Sequence, residues 1–283
     1  MELWYTEEWS EFTRFSIKID EQLHSEQSEF QRIDILRSEE YGKFFTLDGL
    51  MMVTEKDEFI YHDMIVHPAM AVNPEIKNVL VIGAGDGGTV RELTRYKSIE
   101  KIDMVEIDGR VVDLCKEHFP GTSSKLEDPR VNVVIQDGLK WVLEADRNYY
   151  DLIIVDSTDP IGPGEGLFST EFYQNCYNIL TDNGILINQN ESPYFDRYAK
   201  EMRRAQDKIR NVFPIALAYQ AHIPTYPSGH WLFGFASKKL HPLVDANHEL
   251  WLENGLKTKY YNPQLHFGAF ALPNYVKELL GDV

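Results

Sequence analysis

Residues 79–88 have the sequence Val-Leu-Val-Ile-Gly-Ala-Gly-Asp-Gly-Gly, in which four apolar residues pass directly into a glycine-rich segment. A short apolar run is typical of a buried parallel strand, and glycines let the backbone turn sharply and approach a ligand closely. A helix is predicted to begin near Thr89. Glu106 follows about 20 residues later, the separation at which an acidic side chain meets the ribose hydroxyls of a nucleoside. The segment therefore predicts a strand, a loop and a helix that hold an adenosine-type ligand, with a purely structural turn as the alternative.

The alternation of short apolar runs with amphipathic stretches continues beyond this segment. The predicted strands are Val79–Ile82, Ile102–Glu106, Val131–Ile135, Leu152–Val155 and Ile185–Asn188, and a later pair, Ile215–Gln220 and Trp231–Ala236, is expected to form a hairpin. Apolar residues at helical spacing around Phe172–Leu180 and Phe195–Ile209 predict two helices. This pattern favours a doubly wound α/β sheet of the Rossmann-like kind.

The first 56 residues have a different pattern, which predicts a small N-terminal β domain ahead of a catalytic domain over 57–283. Phe15, Ile17 and Ile19 alternate with polar residues as in a strand. The pair Asp48-Gly49 between apolar runs suits the positive φ angles of a two-residue hairpin turn. Thr54, with Asp57 three residues later, is expected to form a capping box that opens a helix over Phe59–Ala71.

The composition argues against two classes of partner, nucleic acids and membranes. The chain has 28 Lys+Arg against 45 Asp+Glu, a net charge of -17, which argues against binding nucleic acid through bulk electrostatics. Cys115 and Cys176 form no disulfide framework and indicate a reducing compartment. We find no apolar run near the roughly 20 residues that cross a bilayer, and no secretory signal. We therefore expect a cytoplasmic protein without a membrane or nucleic-acid partner.

Acidic residues follow three further predicted strands. Glu106 ends the second strand, and the third leads into Gln136-Asp137-Gly138. In open α/β sheets ligands bind beside the carboxyl ends of the strands. Asp137 is therefore placed to accept a hydrogen bond from an exocyclic amine such as that of adenine, with an ordinary Asp-Gly turn as the alternative.

The fourth strand leads into Asp156-Ser-Thr-Asp159-Pro160, which puts two carboxylates beside the same crevice as Asp86. Such a concentration of negative charge is costly unless a cation occupies it. His62 and His67 do not have zinc-ligand spacing, although an oxygen-only Mg²⁺ site stays open. An organic amine suits the acids better, because a protonated amine must lose a proton before its nitrogen can attack.

Two loops are expected near this crevice. The segment 161–168 has three glycines and a proline within six residues, and we interpret it as a lid. The segment Ile223-Pro-Thr-Tyr226-Pro-Ser-Gly is a rigid loop whose tyrosine packs against methylenes or hydrogen-bonds an amine, although an isolated tyrosine is more often a core residue.

Taken in order and spacing, these motifs resemble the polyamine aminopropyltransferases, in particular bacterial spermidine synthases, and the resemblance covers nearly the whole chain. It implies a small N-terminal β domain followed by a Rossmann-like, class I methyltransferase-type doubly wound sheet. It also implies transfer of an aminopropyl group from decarboxylated S-adenosylmethionine, a co-substrate, to putrescine, giving spermidine and 5′-methylthioadenosine, with no metal and no further cofactor. The family further suggests a homodimer or homotetramer.

The resemblance also assigns residues by matching position. Asp156 is the expected proton acceptor. The donor, with its methylthioadenosine part, is expected at Gln31, Gly83, Gly85, Asp86, Glu106, Asp137, Gly138 and Pro163, and the amines at Tyr61, His62, Asp86, Asp156, Asp159 and Tyr226.

Three alternatives stay open at this stage. A class I methyltransferase shares the glycine loop and Glu106, but Asp86 favours a donor that ends in an ammonium over one that ends in an amino acid. A dinucleotide-dependent oxidoreductase fits poorly, because the glycines do not have that fingerprint's spacing. A non-catalytic polyamine sensor would have the same acidic residues for binding but would not turn over a substrate. The choice among putrescine, cadaverine and agmatine as acceptor is not fixed by the sequence.

Overall fold

The computed structural model describes residues 2–157 and 162–282 of the chain. Its first part is entirely β, with a two-stranded hairpin and a four-stranded antiparallel sheet. The hairpin consists of β1 (Leu3–Ser10) and β2 (Thr13–Ile19), and the sheet of β3 (Glu21–Gln27), β4 (Arg32–Ser38), β5 (Gly42–Leu47) and β6 (Leu50–Thr54). The small N-terminal β unit predicted from the sequence is confirmed.

The turn between β5 and β6 is the predicted Asp48-Gly49 pair. Asp48 and Gly49 have φ angles of 50° and 83°, which is the left-handed conformation that a two-residue hairpin turn requires. Leu47 and Leu50 pair directly across the turn. The local sequence therefore sets the register of this hairpin.

The first helix, α1 (Glu58–Val72), begins later than a cap at Thr54 would place it. Its N-cap is Asp57, whose side chain makes no capping hydrogen bond. Instead, Thr54 donates to Asp57 Oδ1 at 2.6 Å, and Thr225 donates to Asp57 Oδ2 at 2.8 Å. Thr54 Oγ1 also accepts from the backbone N–H of Asp57 at 3.3 Å, so half of the predicted capping box is present. It closes the turn ahead of α1, and the Asp57 carboxylate bonds the hydroxyls of Thr54 and Thr225.

The second part is a seven-stranded sheet in the order β12-β13-β11-β10-β7-β8-β9. Its strands are β7 (Asn78–Gly83), β8 (Lys101–Glu106), β9 (Val131–Ile135), β10 (Tyr150–Asp156), β11 (Leu180–Gln189), β12 (Ile215–His222) and β13 (His230–Ser237). The strands β7 to β11 pair in parallel, whereas β12 and β13 form the predicted antiparallel hairpin at one edge. Every strand predicted from an apolar run is present, with longer ends in all but β9.

Helices cover both faces of this sheet, as a doubly wound fold requires. They are α2 (Gly88–Thr94), α3 (Gly109–His118), α4 (Pro120–Ser123), α5 (Gly138–Glu144), α6 (Thr170–Ile179), α7 (Asp196–Val212), α8 (His248–Leu252), α9 (Pro263–Phe270) and α10 (Asn274–Leu280), with 3-10 turns at Gly162–Phe168 and Pro227–Gly229. The predicted helices after the glycine loop, around Phe172 and after Phe195 are confirmed as α2, α6 and α7. Two apolar clusters, one against each face of the sheet, form the main core.

The C-terminal segment, for which the sequence pattern gave no prediction, is fastened to α1 by one carboxylate. Asp63 Oδ2 accepts backbone N–H bonds from Lys259, Tyr260 and Tyr261 at 2.7–3.1 Å. The side chain of Asp63 is almost fully buried, so these three bonds replace the water that it loses. None of the helices in the described ranges is long and apolar enough to cross a bilayer.

The strand order places a crevice at the centre of the sheet. From β7 the chain proceeds to β8 and β9 on one side, and it then returns to β10 on the other side of β7. At such a reversal the connections diverge to opposite faces, and the carboxyl ends of the two central strands are left open to a ligand. The end of β7 carries the glycine loop, and the end of β10 carries Asp156.

Candidate active site

A cleft that is partly open to solvent lies at the reversal between β7 and β10. Its walls come from the carboxyl ends of the central strands, from the first turns of α1 and from the N-terminal four-stranded sheet. Among the described residues that line it are Gln31, Tyr61, His62, Gly83, Gly85, Asp86, Glu106, Asp137, Gly138, Asp156 and Tyr226. The structure therefore brings these residues, all assigned to donor or amine from the sequence, to one cleft.

The glycine loop is shaped by close backbone contacts. Gly83 has a φ angle of +86°, and a Cβ at this position would lie 2.0 Å from the carbonyl oxygen of Asp156. The same oxygen accepts a hydrogen bond from the backbone N–H of Ala84 at 2.8 Å. Gly85 faces Glu106, whose Oε2 would be 3.1 Å from an added Cβ. Only glycine fits at Gly83, because the conformation is left-handed and the neighbouring strand leaves no space.

Glu106 is the acid at the end of β8, and it is buried at the floor of the cleft. Its Oε1 accepts a hydrogen bond from the backbone N–H of Asp108 at 2.9 Å. Burial raises the pKa of Glu106 to about 7, against the effect of that hydrogen bond. A buried carboxyl of this kind suits hydroxyl donors such as those of a ribose, because they would solvate its charge without water.

Gln31, from the N-terminal sheet, reaches the same region through Asp108. Its Nε2 donates to Asp108 Oδ2 at 3.1 Å, and Ser28 donates to the same oxygen at 2.6 Å. Asp108 is itself the N-cap of α3, since its Oδ1 accepts from the backbone N–H of Arg110. The pairing joins the β unit to the sheet beside Glu106.

Asp137 and Gly138 follow β9 at the rim. Asp137 is exposed, and its Oδ1 caps α5 by accepting from the backbone N–H of Leu139 at 2.8 Å. A Cβ on Gly138 would lie 2.5 Å from Ile82 Cγ2. The capping role that the sequence offered as the alternative for Asp137 is thus present, and the same residue also lines the cleft.

Asp156 is held between two hydroxyl groups. Tyr61 donates to its Oδ1 and Thr89 donates to its Oδ2, both at 2.6 Å. Burial raises the pKa of Asp156, and the nearby Asp86 carboxylate raises it further, whereas His62 and the two hydroxyls act in the opposite direction. A carboxyl with a raised pKa is better suited to accept a proton from an amine near neutral pH. Thr89 was missed as a site residue, because a threonine in the first turn of a helix has no distinctive pattern.

Asp86 and His62 form a second charged pair beside Asp156. Asp86 Oδ1 accepts from the backbone N–H of Gly88 at 2.8 Å and lies 3.2 Å from His62 Nε2. The other ring nitrogen, Nδ1, is 2.6 Å from Glu58 Oε2. Burial alone would lower the pKa of His62, but the carboxylates of Asp86 and Glu58 outweigh it and raise this pKa to about 10.

The cluster of His62, Asp86 and Asp156 brings ligand atoms within 4.8 Å of one another, a spacing that also suits a cation. A metal-binding imidazole needs a free lone pair, whereas both nitrogens of His62 face carboxylates and its raised pKa favours an imidazolium. The donor set therefore fits an organic ammonium on the acids better than a metal ion. His67 lies in a separate buried cluster with Asp63 and Glu92.

Tyr226 lines the boundary between the main cleft and a smaller cavity. Its hydroxyl donates to the backbone oxygen of Met52 at 2.6 Å, and its ring lies 5.9 Å from that of Tyr61 and 4.8 Å from that of Trp231. The aromatic walls suit the methylene groups of a bound amine. The hydroxyl contact with Met52 also fixes the loop 223–229 to β6.

The smaller cavity contains an acid that sequence reasoning missed. Glu7 on β1 lines it together with Gln189, Trp231 and, from the main cleft, Tyr61 and Tyr226. Glu7 is buried, and its Oε2 accepts from the Tyr5 hydroxyl at 2.7 Å and from the backbone N–H of Met51 at 2.8 Å. The sequence of β1 contained a signal for this acid. Tyr5, Glu7 and Trp9 are spaced by two, so Glu7 lies on the same strand face as two aromatic residues.

Two of the predicted site residues, Asp159 and Pro163, are not among the described residues that line the cleft. Asp159 lies outside the described residues. Pro163 belongs to the 3-10 turn Gly162–Phe168, of which Gly164 and Leu167 line the cleft. The described part of the predicted lid is therefore next to the site, and its motion stays a prediction.

Comparison with known proteins gives matches over nearly the whole chain. Residues 58–248 match the family described as the spermine/spermidine synthase domain, and residues 3–55 match the spermidine synthase tetramerisation domain. A polyamine aminopropyltransferase of Alkaliphilus oremlandii (strain OhILAs) is 71% identical over 280 residues, covering 99% of this chain and 98% of the relative. Its counterpart in Clostridioides difficile (strain 630) is 64% identical over 282 residues, covering 100% of both chains.

Solved structures give the same result for the fold. A crystal structure of spermidine synthase in complex with the transition-state analogue AdoDATO superposes with a TM-score of 0.96 at 41% identity, covering 99% of this chain and 96% of that one. Spermidine synthase from Thermotoga maritima superposes with a TM-score of 0.95 at 41% identity, covering 99% and 95%.

Proposed function

The chain belongs to the polyamine aminopropyltransferase family, and we propose that it transfers the aminopropyl group of decarboxylated S-adenosylmethionine to putrescine, forming spermidine and 5′-methylthioadenosine. The observation that carries the proposal is the placement of Asp156. This half-buried carboxylate lies next to Asp86 of the glycine loop, and both of its oxygens are oriented by hydroxyl groups. An acid so placed can receive a proton from an amine that attacks a donor bound on the loop.

The donor would bind along the loop and β8. Glu106 would accept the ribose hydroxyls, with Gln31, Gly83, Gly85, Asp137, Gly138 and Pro163 around the remaining nucleoside. Asp86 would pair with the ammonium at the end of the aminopropyl chain. Intact S-adenosylmethionine carries a carboxylate at the corresponding end, which Asp86 and Asp156 would repel.

The acceptor would occupy the space between Tyr61 and Tyr226 and extend into the smaller cavity. Its reacting nitrogen would lie at Asp156, with His62 nearby, and its second ammonium would pair with Glu7. Asp159 remains a further amine contact proposed from the sequence alone. Support for the second contact comes from the burial of Glu7 among aromatic residues, since a buried carboxylate binds a cation more strongly than an exposed one. The length of the diamine would then be measured between Asp156 and Glu7.

The chemical step is a direct displacement. The neutral amine nitrogen forms a bond with the aminopropyl carbon, the carbon–sulfur bond breaks, and its electron pair leaves on sulfur, which becomes the neutral thioether of methylthioadenosine. The proton that the nitrogen loses passes to Asp156. Alignment of nitrogen, carbon and sulfur by the two binding regions would supply most of the acceleration.

Assembly into a tetramer is proposed through the N-terminal β unit. Its match to a tetramerisation domain is one support, and the exposure of Leu3, Trp4 and Phe12 on the hairpin is another. Tyr5 of the same hairpin is buried, so its aromatic residues do not all face outward. Light scattering on the eluting protein would give the number of subunits, and a monomeric mass would refute the assembly.

The proposed reaction is tested by mass spectrometry of products. Purified protein is incubated with decarboxylated S-adenosylmethionine and either putrescine, cadaverine or agmatine, and a parallel reaction contains intact S-adenosylmethionine. We expect spermidine and methylthioadenosine from putrescine. A methylated amine would support a methyltransferase instead, and binding without product would support a polyamine sensor.

A further inference from the structure

His62 is the middle member of a row of alternating charges that begins outside the proposed substrate site. Arg91 on α2 donates to both carboxylate oxygens of Glu58, from Nη1 to Oε1 at 3.0 Å and from Nη2 to Oε2 at 2.9 Å. Glu58 Oε2 contacts His62 Nδ1 at 2.6 Å, and His62 Nε2 lies 3.2 Å from Asp86 Oδ1. Glu58 was not among the residues predicted from the sequence, and neither was Arg91.

Packing fixes the ring in this position. His62 is 1% exposed, and a Cβ on Gly88 would lie 2.1–2.4 Å from three atoms of its imidazole. The ring of Tyr61 stands at 84° to it with the centroids 5.6 Å apart. A ring enclosed in this way cannot turn away from its two carboxylates without displacing the loop after β7.

We propose that Glu58 and Arg91 are positioning residues, which hold His62 as an imidazolium against Asp86 and so keep one positive charge of the protein beside Asp156. The proposal rests on the proposed function, because it assigns Asp156 the part of proton acceptor. Glu58 lines the cleft, but both of its carboxylate oxygens are bonded to Arg91 or His62, and neither Glu58 nor Arg91 is assigned a contact with substrate. Their effect on the reaction passes through His62.

The charges around His62 support this arrangement. Glu58 and Tyr61 face it from α1, Asp86 from the glycine loop, Arg91 from α2 through Glu58, and Asp156 from β10. The pKa of His62 is raised to about 10, and that of Glu58 is lowered to about 2 because His62 and Arg91 outweigh its burial. Both groups are therefore charged at neutral pH.

The consequence for Asp156 follows from the sign of its neighbours. Burial and Asp86 both favour the protonated form of Asp156, which cannot accept a proton. The positive charge on His62 favours the carboxylate. If His62 lost its proton, the pKa of Asp156 would rise and the reaction would require a higher pH.

The matched pair of variants is Glu58→Gln and Glu92→Gln. Glu92 is buried and pairs with the same Arg91 through a 3.0 Å contact. Its pKa is lowered to about 2, because His67 and the arginines outweigh the effect of burial. It faces His67 and not His62. Both substitutions remove one carboxylate partner from Arg91, but only the first removes a partner of His62.

Two measurements are made on both variants and on the wild-type protein. The first is the pH dependence of kcat, in which we expect the acidic limb of Glu58→Gln to move upward by about one pH unit and that of Glu92→Gln to stay in place. The second is ¹⁵N NMR of the histidine side chains without substrate, with the His62 signal assigned by its loss in His62→Gln. We expect an imidazolium at pH 8 in the wild type and a neutral ring at that pH in Glu58→Gln.

These readouts separate the two proposals. The NMR signal does not require turnover, so an inactive protein with an imidazolium at His62 would contradict the proposed function and leave the charge arrangement standing. Equal acidic limbs in the two variants, or a neutral His62 in the wild type, would overturn the inference. If Glu58→Gln does not fold, Arg91→Lys is used in its place. The lysine keeps the positive charge but not the bidentate contact with Glu58, and we expect a smaller shift of the acidic limb in the same direction.

Discussion

The hydroxyl of Tyr61 donates a 2.6 Å hydrogen bond to Oδ1 of Asp156, although 95 positions separate the two residues in the chain. Tyr61 belongs to α1, directly after the N-terminal sheet, and Asp156 ends the central strand β10. The contact orients the carboxylate from one side while Thr89 holds the other oxygen. It joins the two parts of the sequence at the point where the proposed proton transfer takes place.

Replacement of Asp156 by Asn is expected to lower kcat by about 10²- to 10⁴-fold while methylthioadenosine still binds, because the amide cannot accept the proton but keeps the size of the side chain. Product formation is followed by mass spectrometry and binding by calorimetry. The control is Asp151→Asn on the same strand, since Asp151 accepts backbone N–H groups of Lys77 and Asn78 outside the cleft. Wild-type turnover in Asp156→Asn would remove Asp156 from its role.

The rate is expected to fall on acidification, because Asp156 is a carboxylate only above its raised pKa. Tyr61→Phe removes a hydrogen bond that favours the charged form, so the acidic limb should move to higher pH. Tyr150→Phe is the control, as this buried tyrosine donates to another aspartate, Asp103, at 2.9 Å. A profile without an acidic limb, or an equal shift in both variants, would contradict this explanation.

Methylthioadenosine is expected to bind more tightly as the pH rises through about 7, the value to which burial raises the pKa of Glu106. In the empty cleft the neutral form is favoured below that pH, whereas ribose hydroxyls are best accepted by the carboxylate, so binding releases a proton. Calorimetry in buffers of different ionisation enthalpy measures that release. Glu106→Gln should bind weakly and without this pH dependence, and an unchanged dependence in the variant would locate the titration elsewhere.

Glu7→Gln is expected to raise the KM for the diamine by about tenfold or more and to leave the KM for the donor unchanged, because a charge-assisted contact to the second ammonium is lost. Glu8→Gln is the matched control, since Glu8 is the neighbouring residue of β1 on the exposed face. Steady-state kinetics with each substrate varied in turn separates the two constants. Parallel changes in both variants would show that Glu7 acts only on the structure of the β unit.

Gly83→Ala is expected to destabilise the fold by at least about 2 kcal/mol, because the residue has a φ angle of +86° and an added Cβ would meet the backbone of Asp156 at 2.0 Å. Gly121→Ala serves as control, as nothing lies within 4 Å of its Cβ position. Urea unfolding followed by circular dichroism gives both free energies. Equal stabilities would mean that the loop and β10 can separate without cost.

Much of the sheet was predictable because its central strands β7, β8 and β10 are buried on both sides and therefore appear as continuous apolar runs. The run at 131–135 matches β9 residue for residue, whereas β11 begins five residues before its predicted start. The capping box predicted at Thr54 is half present, since Thr54 Oγ1 accepts from the backbone N–H of Asp57, but α1 begins only after Asp57. The carboxylate of Asp57 bonds Thr225, a contact across 168 positions that no local pattern contains.

Within the site, the residues that follow strands were found and those that reach it from elsewhere were missed. Glu106, Asp137 and Asp156 follow the carboxyl ends of strands, and a parallel sheet brings all such ends to one edge. Glu7, Glu58 and Thr89 approach from a hairpin, from the start of α1 and from α2. Their positions depend on how these elements pack, and periodicity describes only which face of an element is apolar.

The sequence by itself determined the doubly wound sheet, the glycine loop and the row of acids at its edge, because local spacing encodes strands, turns and the side of the sheet on which their ends lie. The tertiary structure alone decided how those acids are charged and oriented. Tyr61 on Asp156, Glu58 and Arg91 behind His62, and Glu7 in the adjoining cavity all come from segments distant in the chain. A pKa depends on the burial and charge of such neighbours, and only packing brings them together.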